Sequence, residues 1–94
     1  MSVVIIGGHE RMEKKYKEIC KKYNCKAKVF TKMKTDLSHK IGDPDLMILF
    51  TSTASHKMVR CAVAESERNN ITVERCHSSS ASALINILDN YASA

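Results

Sequence analysis

Three short stretches of this 94-residue chain hold most of the side chains that could bind or transform a ligand: GGHER at 7–11, TSTASHK at 51–57 and CHSSS at 76–80. Three of the four histidines, His9, His56 and His77, fall within them. An imidazole at His9 can ligate a metal or accept a proton, and Arg11 beside it can hold a carboxylate, a phosphate or a polar diatomic ligand. Ser78, Ser79 and Ser80 precede a helix, where hydroxyls and free N–H groups can cradle an anion; the plainer role of such serines is to cap that helix. Ser55 or Thr53 can cap the helix that His56 and Lys57 open. Cys76 lies ahead of a helix start and next to His77, the setting of an activated thiol. Neighbours at a strand end point to opposite sides, however, so His77 is not automatically its base, and a buried structural thiol is the simpler reading.

These stretches matter only if the fold brings them together, and the hydrophobic pattern implies that it does. Residues 3–6, VVII, form a continuous apolar run, the pattern of a strand covered on both faces. Gly7 and Gly8 end it in a tight turn or a ligand-binding one; no third glycine follows at the spacing of a dinucleotide-binding fingerprint. From Glu10 the apolar positions Met12, Tyr16, Ile19, Cys20 and Tyr23 recur at helical intervals with lysines opposite, so an amphipathic helix runs to near Asn24. Residues 27–33, AKVFTKM, alternate and predict a second strand at the sheet edge, which its lysines would protect from stray pairing.

Residues 36–42 have room for one or two helical turns, with Asp36 as N-cap and Gly42 as stop. The run at 46–50, LMILF, predicts a third buried strand. The helix after it buries Met58, Val59, Ala62 and Val63 and ends at Asn69 and Asn70. A fourth strand follows at 71–75, and a last helix turns Leu84, Ile87, Leu88 and Tyr91 inward before fading at the small residues of the C-terminus.

Strands alternating with helices imply an α/β fold, here a small parallel sheet of four strands in the order 2-1-3-4 with right-handed crossovers. It is a truncated Rossmann or flavodoxin-like arrangement, expected to form a single domain over 1–94. In such a sheet ligands sit beyond the carboxyl ends of the strands, where the strand order reverses, and all three polar stretches fall there. The first helix covers one face and the second and third cover the other. The last helix either returns to the first face or leaves it to a second subunit, so a homodimer, in one form exchanging elements, is expected.

The net charge is +5, and eleven of the fifteen Lys and Arg residues lie between positions 11 and 40 against three acids there. Without an aromatic-rich strand motif or a helix-turn-helix pattern, that charge reads as a solvated helix face that attracts anions rather than a nucleic-acid site. Cys20, Cys25, Cys61 and Cys76 do not match zinc-ligand spacings and are expected to be thiols. With no apolar stretch near the ~18 residues of a membrane span, the expectation is a cytoplasmic protein that does not enter membranes.

Taken in order, VVIIGGHERMEKKYKEIC, KAKVFTKM, DLMILFTSTASHKMVRCAV and RCHSSSASAL resemble the small bacterial domain-of-unknown-function family numbered 2325, over nearly the whole chain. The resemblance implies non-covalent haem binding, with oxygen or another gas on the iron. His9 would then be the axial ligand, with His77 and His56 as alternatives. Arg11, Ser55, His56, Lys57, His77, Ser78, Ser79 and Ser80 would surround the cofactor in a pocket shared between two subunits, since a monomer of this size has difficulty enclosing a porphyrin, and residues such as Met12, Phe50 and Met58, whose plainer role is core packing, would line its apolar slot. The absence of a CxxCH signature excludes covalent attachment of the c type. The competing expectation is a regulatory domain holding an anion or nucleotide through His9, Arg11 and the serines at 78–80. With no paired acid and no oriented triad, an enzyme is the weakest of the three readings.

Overall fold

The computed structural model describes residues 1–91; the small C-terminal residues, 92–94, lie outside the described part. Four parallel strands, β1 (Ser2–Ile6), β2 (Lys26–Phe30), β3 (Leu46–Phe50) and β4 (Thr72–Cys76), form one sheet in the order β2-β1-β3-β4. The helices are α1 (Glu13–Lys22), α2 (Leu37–Ile41), α3 (His56–Asn69) and α4 (Ala81–Tyr91), and a 3₁₀ turn, Glu10–Met12, leads into α1. The expected α/β architecture and strand order are those observed.

The period-2 alternation of strand side chains divides the apolar residues between two faces. Val3, Ile5, Leu46, Ile48 and Phe50 pack against Tyr16, Ile19 and Cys20 of α1 and Leu84, Ile87 and Leu88 of α4. Val4, Ile6, Met47 and Leu49 pack against Leu37 and Ile41 of α2 and Met58 and Ala62 of α3. The last helix therefore returns to the face of α1, so that among the described residues each sheet face carries two helices. Tyr91, expected to point inward, is 43% exposed and instead donates its hydroxyl to Glu74 at 2.9 Å.

Other departures are local and have local causes. β2 stops at Phe30 rather than at Met33, because its neighbour β1 ends at Ile6; the last rung between them is the Gly7 N–H to the Phe30 carbonyl at 2.9 Å. β4 starts at Thr72 rather than Ile71, whose N–H is held by the Ser66 carbonyl at 2.9 Å where Asn70, at φ 58°, closes α3. Asp36 takes the N-cap position of α2 without a side-chain cap bond and pairs with Lys40 at 3.6 Å.

Candidate functional site

Parallel strands deliver every following helix to the same carboxyl rim, so the starts of the 3₁₀ turn and α1, of α3 and of α4 gather beyond β1, β3 and β4. The three polar stretches occupy these starts, and direct bonds stitch them together. Between the first two, the Gly8 N–H donates to Thr53 Oγ1 at 2.6 Å. Between the second and third, the Thr51 N–H donates to the Cys76 carbonyl at 2.9 Å, and Ser52 Oγ donates to the His77 carbonyl. Between the first helix and the third stretch, the Tyr16 hydroxyl donates to the Ser79 carbonyl at 2.6 Å.

Gly7 and Gly8 are required by this stitching. Both have positive φ, 96° and 85°, a region that L side chains seldom occupy. A Cβ on Gly7 would lie 2.9 Å from the Phe50 carbonyl oxygen, and one on Gly8 would lie 2.6 Å from the Tyr16 ring. The pair is thus a tight turn that admits close backbone and ring contacts.

Tyr16 is the positioning residue that helical periodicity concealed, because its ring fills an ordinary core position. The ring packs on Phe50 with centroids 5.4 Å apart and is fully buried, while the hydroxyl reaches the rim. Burial raises its pKa, which keeps the hydroxyl protonated as a donor. The available signal was the chemistry of a buried tyrosine, whose O–H must find an acceptor.

Several expected ligand groups are spent within the protein. His9 is the N-cap of the 3₁₀ turn, with Nδ1 accepting from the Arg11 N–H at 3.2 Å. Ser55 caps α3 by accepting from the Met58 N–H at 3.3 Å. Ser80 Oγ accepts from the Ala83 N–H at 3.2 Å and from Ser78 Oγ at 3.1 Å. Ser78 Oγ also accepts from the Ser80 N–H at 3.3 Å. The plainer capping role therefore holds for Ser80, while Ser78 braces the turn that precedes α4. Cys76 donates its thiol to the Ser78 carbonyl at 3.1 Å and meets no base among the described residues. All four cysteines are free thiols.

Arg11, His56, Lys57 and His77 are exposed, and their side chains carry no bond among the described residues. Glu10, which shares the first stretch, is neutralised by Lys32 at 2.9 Å, and that ammonium holds its carboxyl below the usual range. The rim thus presents two unpaired cations, two unbonded imidazoles and three helix starts, whose dipoles point their positive ends the same way.

Residues 2–91 match the family described as "Uncharacterized protein conserved in bacteria (DUF2325)". The chain belongs to that family. No curated protein and no solved structure matches it. Among its described residues no three His, Cys, Asp or Glu side chains group as a metal site, and no helix is long and apolar enough to cross a membrane.

Haem would require of this family member an imidazole lone pair, an apolar slot and donors for two propionates. Phe50 and Met58 are 0% and 1% exposed and lie in the cores on opposite faces of the sheet, so they cannot line one slot. Met12 is half-buried against the α1 face. A neutral imidazole has one lone pair, and that of His9 is engaged in its cap. A haem enclosed by this chain alone, with those residues as lining, does not fit.

Proposed function

We propose that this chain is a binding module whose carboxyl rim takes a small anion, such as a phosphate or the phosphate end of a nucleotide. The observation that carries the reading is the gathering of three helix starts, stitched by the Gly8–Thr53, Ser52–His77 and Tyr16–Ser79 bonds, around unpaired Arg11 and Lys57. A doubly charged oxygen cluster would gain charge-assisted bonds from Arg11 and Lys57 and from the positive helix ends; the carboxylates at these helix starts are Glu10, already paired with Lys32, and Glu13 in the first turn of α1. His56 and His77 would add donors. The stitched loops would not need reorganising, which is the usual cost of binding.

A thermal melt with inorganic phosphate and with nucleoside phosphates tests this. A ligand at ten times its Kd should stabilise the fold by about 1.4 kcal/mol, several degrees in Tm for a chain of this size, and Arg11→Ala should remove the rise. The absence of any rise with every phosphorylated ligand would refute it.

A second reading, haem held between two subunits, is favoured by the unbonded rings of His56 and His77. A partner would have to supply the apolar cover, and the axial bond would come from His77 or His56, or from His9 once its cap is released. Haemin titration should then produce a Soret band together with a dimer, and the His56→Ala and His77→Ala pair should abolish the band. A band that survives both that pair and His9→Ala would exclude the three histidines.

A further inference from the structure

The sheet has a second feature, unconnected with the rim, along its β2 edge. Lys26 donates its N–H to the Met1 carbonyl and Phe30 accepts from Gly7, so the even-numbered residues of β2 turn their backbone toward β1. In a parallel strand the backbone alternates sides, which leaves the N–H and C=O groups of Ala27 and Val29 facing outward. They line a groove. One cleft of about 190 Å³ runs between Lys26, Lys28, Ile41 and Pro44, and a second of about 330 Å³ lies between Lys17, Val29, Phe30 and Lys40. The two share Ala27 and Lys28, so together they follow the strand from one end to the other.

Lysines flank the groove on both sides, Lys17 from α1 and Lys28 and Lys40 from β2 and α2, with Lys26 at its start. Lys28 donates to the Lys40 carbonyl at 3.2 Å, a bond that orients the ammonium without neutralising it. The opposing acids are Asp43, which lines one end, Asp45, which accepts from the Ser2 N–H at that same end, and Asp36, already paired with Lys40. The other edge differs in kind, since β4 carries both Glu74 and Arg75, and Tyr91 reaches over from α4 to bond Glu74.

We infer that the β2 edge is the docking site of an extended, acidic polypeptide segment that adds to the sheet as a fifth strand. Ala27 and Val29 supply the main-chain bonds of β-strand addition. The side chains of the added strand alternate between the Lys17 side and the Lys28–Lys40 side, and the charges select acidic residues there. The same lysines repel the β2 edge of a second copy, which makes the occupant a different chain. A nucleic acid would use the charges but would find only the half-buried Phe30 ring in the groove on which to stack a base, and it would leave the edge amides unused.

The test uses a labelled heptapeptide, Glu-Glu-Val-Val-Glu-Glu-Val, whose paired acids fall on both faces of an extended strand. Binding is expected at low salt, with weakening of roughly 3- to 10-fold for each of Lys17→Glu and Lys28→Glu and loss for the glutamine counterpart of the peptide. The Ala27 and Val29 amides should become protected from hydrogen exchange. Because substitutions in the protein could disturb its fold, the peptide is also N-methylated at one or the other alternate set of amides. One set should abolish binding and the other should leave it intact. Equal tolerance of both sets, equal binding of the glutamine peptide, displacement by an equally charged oligouridylate without exchange protection at Ala27 and Val29, or blockage of the site by self-association would each overturn the inference.

Discussion

At the carboxyl rim, Gly8, Tyr16, Ser52, Ser55 and Ser80 commit their polar groups to bonds between loops or to helix caps, whereas along β2 Lys17 and the outward backbone of Ala27 and Val29 have no partner in the described chain. Composition alone ranks the two regions the other way. The rim gathers serines, threonines and histidines, the residue types associated with sites, while the β2 edge offers only lysines and small apolar residues. What a ligand can use is what the fold leaves unspent. At the rim that is Arg11, Lys57, His56 and His77, and at the edge it is most of the polar surface.

If the rim is a stitched structure and the edge a free one, substitutions should cost stability in the first and little in the second. The largest expected effect is that of Gly8→Ala, which places a Cβ against the Tyr16 ring at a φ of 85° and should destabilise by about 2–4 kcal/mol, read as a denaturant midpoint shift. Alkaline pH should follow. Burial, with Cys25 nearby, pushes the Cys20 thiol up from 9.0 to about 11, and burial also raises Tyr16. Both folded-state values are raised, so the stability they contribute is intact below the unfolded pKa and is lost as pH rises through the folded one. Melts should therefore weaken between pH 9 and 11, with Cys20 alone accounting for about 2 kcal/mol at the upper limit, and Cys20→Ala should flatten that slope.

Tyr16→Phe keeps the ring on Phe50 but leaves the Ser79 carbonyl unpaired, a loss of about 1–2 kcal/mol accompanied by faster amide exchange around residues 77–80. Ser80→Ala removes the α4 cap and should cost about 1 kcal/mol. At the edge, Lys17→Ser should change stability by less than about 0.5 kcal/mol. A larger loss there would show that the groove lysines are structural and would erase the contrast.

Much of the fold was legible because apolar periodicity reports burial directly. The unbroken runs at 3–6 and 46–50 could only be central strands, and alternation with amphipathic helices left a parallel sheet as the economical topology. The lysines of 27–33 correctly marked an edge strand. The failures lie where one residue answers to two distant neighbours. Tyr16 reads as core from its spacing, and its hydroxyl's partner is 63 positions away. Phe50 and Met58 both read as available apolar lining, but their places on opposite sheet faces depend on strand pleat and helix docking together. β2 ends at Phe30, short of the alternating run to Met33, because a strand lasts only as long as its neighbour, and β1 ends at Ile6.

By itself the sequence determined the strand and helix types and a parallel sheet that carries three polar stretches to one rim, since these follow from short-range periodicity and the handedness of crossovers, and it made 2-1-3-4 the expected order. Only the tertiary structure decided that α4 covers the face of α1, that His9 and Ser80 serve as caps, that Arg11 and Lys57 stay unpaired, and that the two clefts along β2 run into one groove. Those outcomes depend on which donors and acceptors meet across the fold, and a hydrogen bond acts over about 3 Å in space however far apart its partners lie in the chain.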